Sequence, residues 1–185
     1  MKVVPCAIPD LLMVEPQVYR DNRGVFLETY NERAFAALGL RQHFVQDNLS
    51  TSKRNVIRGL HYQVSRPQGK LVRVVSGCVL DVAVDLRRWS PTFGRHIAVQ
   101  LTEKNFQALW IPPGFAHGFA ALSEIAVFAY KTTDFYAPEG ERTIVWNDPA
   151  IGIDWGVPAE TAIVSEKDRG GALFSEAEVY EDERL

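Results

Sequence analysis

Residues 70–86 read KLVRVVSGCVLDVAVDL, two runs rich in β-branched residues joined at Ser76-Gly77. That punctuation predicts a β-hairpin of KLVRVV (70–75) with CVLDVAVDL (78–86). Further strand-like runs follow: HIAVQL (96–101), FQALWI (106–111), HGFAAL (117–122) and IAVFAY (125–130). Ser90-Pro91, Pro112-Pro113-Gly114 and Ala137-Pro138 separate them. One short helix is legible, with Asn31 as N-cap, Phe35 and Leu38 on one face and Gly39 as stop. Short strands at this spacing with little helix predict an all-β protein, an antiparallel jelly-roll sandwich or barrel. No repeat, low-complexity tract or linker interrupts residues 1–185, so a single domain is expected.

Alternation along residues 78–86 places Leu80, Val82, Val84 and Leu86 on one side, and Asp81 and Asp85 with Val79 and Ala83 on the other. Tyr130 falls on the side of Ala126 and Phe128. Asp81 and Tyr130 are therefore read as polar groups lining a cavity, although Asp81 could equally face water. Trp110, just before the Pro-Pro-Gly turn, reads as a cavity wall, and Asp85 and Arg87 as structural.

Composition narrows the function. Apolar residues make up 46% and charged residues 23% of 185, a globular balance. Pro5, Pro9 and Asp10 break the start of the chain, leaving no apolar run suited to a signal peptide or a membrane span. Two cysteines without C-x-x-C spacing exclude a thiolate zinc site and point to a reducing, cytoplasmic setting. A net charge of −3 argues against a nucleic-acid polymer as partner. Residues 48–80 nevertheless carry Lys53, Arg54, Arg58, Arg66, Lys70 and Arg73 with no acid, whereas the end is acidic through Glu176, Glu178, Glu181, Asp182 and Glu183. The basic segment fits a small anionic ligand such as a phosphate ester.

Within it lies RGLHYQ (58–63), where His61 is a core histidine, a metal ligand or a base. PPGFAHG (112–118) resembles the second conserved stretch of cupin barrels and adds His117. A cupin metal centre usually has a second histidine two residues after the first, and here that position is Gln63, followed by Arg66 and Lys70. Cations there repel a divalent ion, so a cupin-like barrel without metal is expected. No G-x-S-x-G and no glycine-rich phosphate loop is present. Acid–base chemistry remains. A histidine base taking a proton α to a carbonyl needs a cation for the enolate, for which Lys70 is suited, and inversion needs an acid on the opposite face, for which Tyr130 is plausible.

The motifs RGLHYQ, QGKLVRVVSGCVLDVAVDLR, SPTFG, WIPPGFAHGF, YKTTDFYAP, WNDPAIGIDW and SEKD occur in the order found in dTDP-4-dehydrorhamnose 3,5-epimerases. The chain resembles that family from AIPDLLMVEP through Asp168. The resemblance implies a homodimeric, cofactor-independent jelly roll that inverts carbons 3 and 5 of dTDP-4-keto-6-deoxy-D-glucose. It makes His61 the base, Asp168 its carboxylate partner, Lys70 the stabiliser of the enolate and Tyr130 the acid. Arg58 and His117 would line the sugar site with Asp81 nearby. Arg23, Phe26 and Glu28, with Gln46 and Asn48, would hold the nucleotide, partly across the dimer. Phe135 stands where members often carry a tyrosine, and RGG follows SEKD where a proline is common.

Other readings differ in chemistry. A relative inverting only one carbon would share base, cation and acid. A non-catalytic nucleotide-sugar-binding jelly roll would be expected to lose His61, Lys70 or Tyr130. A metal-dependent cupin oxygenase would bind metal.

Overall fold

The computed structural model describes residues 1–182, so Glu183 of the acidic end lies outside it. The strands are β1 (Lys2–Pro5), β2 (Leu12–Glu15), β3 (Val18–Asp21), β4 (Gly24–Leu27), β5 (Gln46–Lys53), β6 (Val56–Gln63) and β7 (Lys70–Ser76). They continue with β8 (Cys78–Asp85), β9 (His96–Thr102), β10 (Ala108–Ile111), β11 (Phe115–Ala121), β12 (Ile125–Thr132), β13 (Glu141–Thr143) and β14 (Ile163–Val164). Two helices, α1 (Glu32–Ala37) and α2 (Glu166–Arg169), complete the regular structure apart from short 3-10 turns.

Two antiparallel sheets form the jelly roll. One runs β1-β2-β10-β7-β12-β5 and the other β13-β6-β11-β8-β9, with β14 added parallel to β6. β3 and β4 make a separate ribbon. Every other pairing between these strands is antiparallel, as the short-strand pattern implies.

The predicted hairpin does not form. β7 pairs with β10 and β12, whereas β8 pairs with β11 and β9, so the chain changes sheets at Ser76-Gly77. Gly77 makes the crossing possible: its φ is +86°, and a Cβ there would stand 2.2 Å from the Ile125 carbonyl oxygen. Alternation could not reveal this, because both faces of β8 are covered. Val79 and Ala83 meet Val72, Val74, Leu109, Phe119 and Phe128 between the sheets. Val82, Val84 and Leu86 pack outward against Trp155, Ile144, Ile151 and Tyr180.

The outer face of the first sheet is covered by the N-terminal segments. Trp110 belongs to this layer, with Leu71, Phe35 and Leu40, and so lies under α1 rather than on the wall of the inter-sheet space. Asn31 caps α1 by accepting from the Ala34 amide at 3.1 Å. Phe35 is buried as expected, but Leu38 is exposed at the helix end. Asp85 is structural: it accepts from Arg87, Ser90 and Thr92, and Arg87 reaches on to Asp10. No described helix is long and apolar enough to cross a membrane.

Candidate active site

The site is assembled where β6 and β11 approach across two glycines. A Cβ on Gly59 would lie 2.6 Å from Gly118 Cα and 2.7 Å from the His117 oxygen, and a Cβ on Gly118 would lie 2.6 Å from the Arg58 oxygen. Gly59 also has φ +118°, and the Gly59–Leu60 peptide is cis. The glycines of RGLH and AHGF thus let the strands close, and His61 comes directly opposite His117 in the ladder. Paired residues share a sheet face, so both rings are on the same side.

His61 Nε2 lies 2.6 Å from Asp168 Oδ1. The His61 side chain is 31% exposed and that of Asp168 only 4%. Asp168 is the third residue of α2, whose N-cap Ser165 accepts from the Asp168 amide at 3.1 Å. Its Oδ2 accepts from the Gly59 amide at 3.2 Å. Burial works against the carboxylate, but the hydrogen bonds and charge of His61, with the Gly59 amide and Ser165, hold Asp168 below the usual carboxylate range. An ionised carboxylate only accepts, which assigns the ring proton to Nε2 and leaves the Nδ1 lone pair free. The RGG run after SEKD keeps this helix in place. Gly170 ends α2, and a Cβ on Gly171 would sit 2.7 Å from the Val145 amide nitrogen.

Lys70 opens β7 and is buried. Its Nζ donates to the His61 carbonyl oxygen at 3.4 Å, and among the described residues it makes no ion pair. Burial pulls its pKa from 10.5 down to about 8, with Asp81 and Glu141 resisting. His117 Nε2 meets Asp81 Oδ2 at 2.9 Å, both groups buried. Burial pushes the Asp81 carboxyl up and the His117 imidazolium down, each opposed by the other. Asp81 is therefore on the inward face.

Tyr130, on β12, has its phenol pKa raised by burial, with Arg58 acting against the shift and Glu141 adding to it. Across the ladder stands Asn48 on β5, followed on that face by Ser50 and Ser52. Arg58 Nε donates to Ser52 Oγ at 3.0 Å. Gln46 Nε2 donates to Asn48 Oδ1 at 2.9 Å. Asn48 Nδ2, Ser50 Oγ and Asp81 Oδ1 are buried without a hydrogen-bond partner among the described residues. Orphaned buried polar atoms are rare in folded proteins, and a polar ligand would satisfy them.

The chain thus brings His61, Asp168, Lys70, Asp81 and His117 into one cluster, with Tyr130, Arg58, Asn48 and Gln46 on or beside the facing strands. Arg23, Phe26 and Glu28 are elsewhere. They sit on or beside the β3–β4 ribbon, where Arg23 pairs with Asp21, Phe26 is 70% exposed and Glu28 accepts from Asn31. A cavity of about 420 Å³ runs along the ribbon, lined by Arg20, Arg23 and Phe26 among others. A second, of about 360 Å³, opens where Leu49, Leu71, Arg73 and Lys131 meet. The six cations of 48–80 do not form one patch either: Arg66 pairs with Asp134, and Lys53 and Arg54 end the β5–β6 turn away from Lys70.

Gln63 stands at the cupin second-histidine position and is committed to the backbone. It donates to Arg66 O at 2.8 Å and accepts from the Ala137 amide at 2.9 Å. No group of three His, Cys, Asp or Glu side chains able to hold a metal occurs among the described residues. The sequence reading missed Ser50, Ser52 and Glu141. The two serines had a signal in the period-two polar face of N-L-S-T-S (48–52). Glu141 had none.

Residues 5–176 match the family described as dTDP-4-dehydrorhamnose 3,5-epimerase. The chain is 56% identical over 181 residues to such an epimerase of Pseudomonas aeruginosa, covering 97% of this chain and 99% of the relative. It is 51% identical over 179 residues to the Salmonella typhimurium protein of the same name, covering 96% and 97%. Its fold is similar to the crystal structure of a dTDP-6-deoxy-D-glucose-3,5-epimerase from Legionella pneumophila in complex with dTDP-4-keto-L-rhamnose. The TM-score is 0.94 at 44% identity, over 98% of each chain.

Proposed function

The chain belongs to the dTDP-4-dehydrorhamnose 3,5-epimerase family, and we propose on that premise that it inverts carbons 3 and 5 of dTDP-4-keto-6-deoxy-D-glucose to give dTDP-4-keto-L-rhamnose. The observation that carries the reading is the His61–Asp168 contact of 2.6 Å, half-open on the histidine side, beside a buried lysine that has no ion-pair partner among the described residues.

The chemistry follows from those three groups. Carbons 3 and 5 both flank the carbon-4 ketone, so their protons are acidified by the same carbonyl. His61 Nδ1 removes the proton, and the C–H electron pair moves into the ring to leave an enolate oxygen at carbon 4. The Asp168 carboxylate holds the imidazole in the accepting tautomer and stabilises the imidazolium. Lys70 Nζ supplies a positive charge that needs no reorganisation when the oxygen becomes anionic. Tyr130 OH gives a proton to the opposite face of the same carbon, which restores the ketone with inverted configuration. The burial that raises the Tyr130 pKa keeps the phenol protonated until then. Exchange with solvent resets both groups, and the second carbon repeats the cycle.

Arg58 and His117 would contact the sugar, with Asn48, Ser50 and Asp81 offering unpartnered polar atoms to it. Arg23, Phe26 and Glu28 would serve the nucleotide of a dimer mate, which agrees with their exposure on or beside the separate β3–β4 ribbon. Proton NMR of the substrate with the enzyme in deuterated water tests the proposal. Deuterium at carbons 3 and 5 supports it. Deuterium at one carbon makes the protein a single-carbon epimerase, and none at either, with nucleotide still bound, makes it a binding protein.

A further inference from the structure

Gln63 is a buried polar side chain to which the mechanism gives no role. It follows His61 by two residues on β6, so the two side chains share a face, while Leu60 and Tyr62 pack on the opposite one. Its side chain is bonded to main chain beyond the strand. Oε1 accepts from the Ala137 amide at 2.9 Å, and Nε2 donates to the carbonyl oxygens of Arg66 at 2.8 Å and Phe135 at 3.4 Å. A backbone N–H can only donate, which fixes the orientation of the Gln63 amide. Arg66 has a φ of +54°, a left-handed conformation that is costly for a residue other than glycine, and the bond to its carbonyl helps to hold it. The Gln63 carbonyl is held in turn by the Tyr180 hydroxyl at 2.6 Å.

Those partners lie in the two loops next to the other catalytic groups. Residues 64–69 lead from β6 into Lys70, and residues 133–137 leave the strand that carries Tyr130. The loops are also tied to each other. The Gly69 amide donates to Thr133 Oγ1 at 2.8 Å, the Thr133 amide to the Gly69 oxygen at 3.0 Å, and Gln68 Nε2 to the Asp134 oxygen at 2.9 Å. One side chain thus connects the strand of the base, in the second sheet, to the strands of the cation and the acid, in the first. Lys70 keeps a direct bond to β6 through the His61 carbonyl. Another tie between the sheets, from Arg58 to Ser52, lies toward the start of β6. At the end of β6 that carries His61, the spacing to Tyr130 rests on the braced loops.

We propose that Gln63 is a positioning residue: by bracing the 64–69 and 133–137 loops against β6, it sets the distance between His61 and Tyr130 across the two sheets. The inference rests on the roles of those two residues given above. Gln63→Met keeps the length of the side chain and removes its three bonds, whereas Gln63→Glu keeps the bond from Ala137 and loses the donations. Hydrogen exchange of the free protein gives the first readout. The Gly69 and Thr133 amides, neither bonded to Gln63, should lose protection by at least about tenfold in Gln63→Met, while β8 amides keep theirs. The second readout is NMR of the substrate in deuterated water. Inversion should fall by about 10²-fold and deuterium exchange by less, so the ratio of exchange to inversion rises, with Gln63→Glu between wild type and Gln63→Met. Leu101→Ala, which opens the core on β9, controls for lost stability and should leave that ratio unchanged. If Gln63→Met does not fold, Gln63→Glu decides by the same readouts. Unchanged protection of both loop amides, or an unchanged ratio, overturns the proposal. If protection falls but the wild-type enzyme exchanges neither carbon-bound proton, the brace stands and the epimerase reading fails.

Discussion

His61 and Asp168 are 107 residues apart in the chain and 2.6 Å apart in the fold. The contact depends on β6 and on one turn of helix, with Ser165 as N-cap and Gly170 as C-cap, whose Asp168 meets β6. Asp168 also receives the Gly59 amide, from the same segment as the histidine. The carboxylate therefore fixes both the ring and the backbone that carries it.

Asp168→Asn should separate charge from shape. The amide can donate to Nε2, which moves the ring proton to Nδ1 and removes the lone pair that takes the substrate proton. Deuterium incorporation is expected to fall by about 10²–10⁴-fold, while thermal unfolding stays cooperative. Wild-type exchange in the variant would show that Asp168 has no part in the chemistry.

Lys70 predicts opposite effects on activity and stability. Its pKa is about 8 in the folded protein against an ordinary 10.5, so turnover that needs the cation should decline with a midpoint near about 8. Between these values the unfolded chain binds more protons than the native one, and stability from this group rises with pH. Below about 8 the buried charge costs on the order of 3 kcal/mol. Lys70→Met should accordingly raise the unfolding midpoint in urea near neutral pH and abolish exchange. A variant both inactive and less stable would place the role of Lys70 in packing.

Parts of this site were legible in sequence for specific physical reasons. Residues 78–86 show period-two alternation, which put Asp81 on the face of Val79 and Ala83 without deciding between cavity and water, and Asn31 and Gly39 marked the helix ends. The same alternation could not tell which sheet each run joins, because β7 and β8 both bury two faces, and Ser76-Gly77 serves a crossing as well as a hairpin. No local rule links His61 to Asp168, and only the likeness of SEKD to a known family paired them. Glu141 was invisible because its significance comes from Lys167 and Tyr136, which meet it only after folding.

Gly59→Ala should be among the most damaging single-methyl additions. Positive φ and the 2.6 Å approach to Gly118 Cα act together, and strain plus overpacking give an expected loss of about 2–4 kcal/mol. Gly24 is the control: its φ is +127°, but nothing lies within 4 Å of the added Cβ. Gly24→Ala should therefore show the backbone strain alone, about 1 kcal/mol. Urea unfolding of both variants measures the difference. Equal losses would mean that the contact between the β6 and β11 glycines is not close in solution.

The exposed β3–β4 ribbon leads to a prediction about subunits. Phe26 is 70% exposed, and among the described residues Arg23 has no hydrogen bond or ion pair to the His61 cluster. If the ribbon of one protomer serves the site of another, two different lesions should complement each other. His61→Ala keeps its ribbon, and an Arg23→Ala, Phe26→Ala double variant keeps its base. In a mixed dimer the second protomer's site is complete, with its own His61 and its partner's ribbon. Each variant alone is expected to be nearly inactive, and refolding an equal mixture should recover about a quarter of wild-type turnover, since half the dimers are mixed and each has one good site. Size-exclusion chromatography of the mixture checks that dimers form. Dimers without recovered turnover would show that the ribbon acts on the site of its own chain.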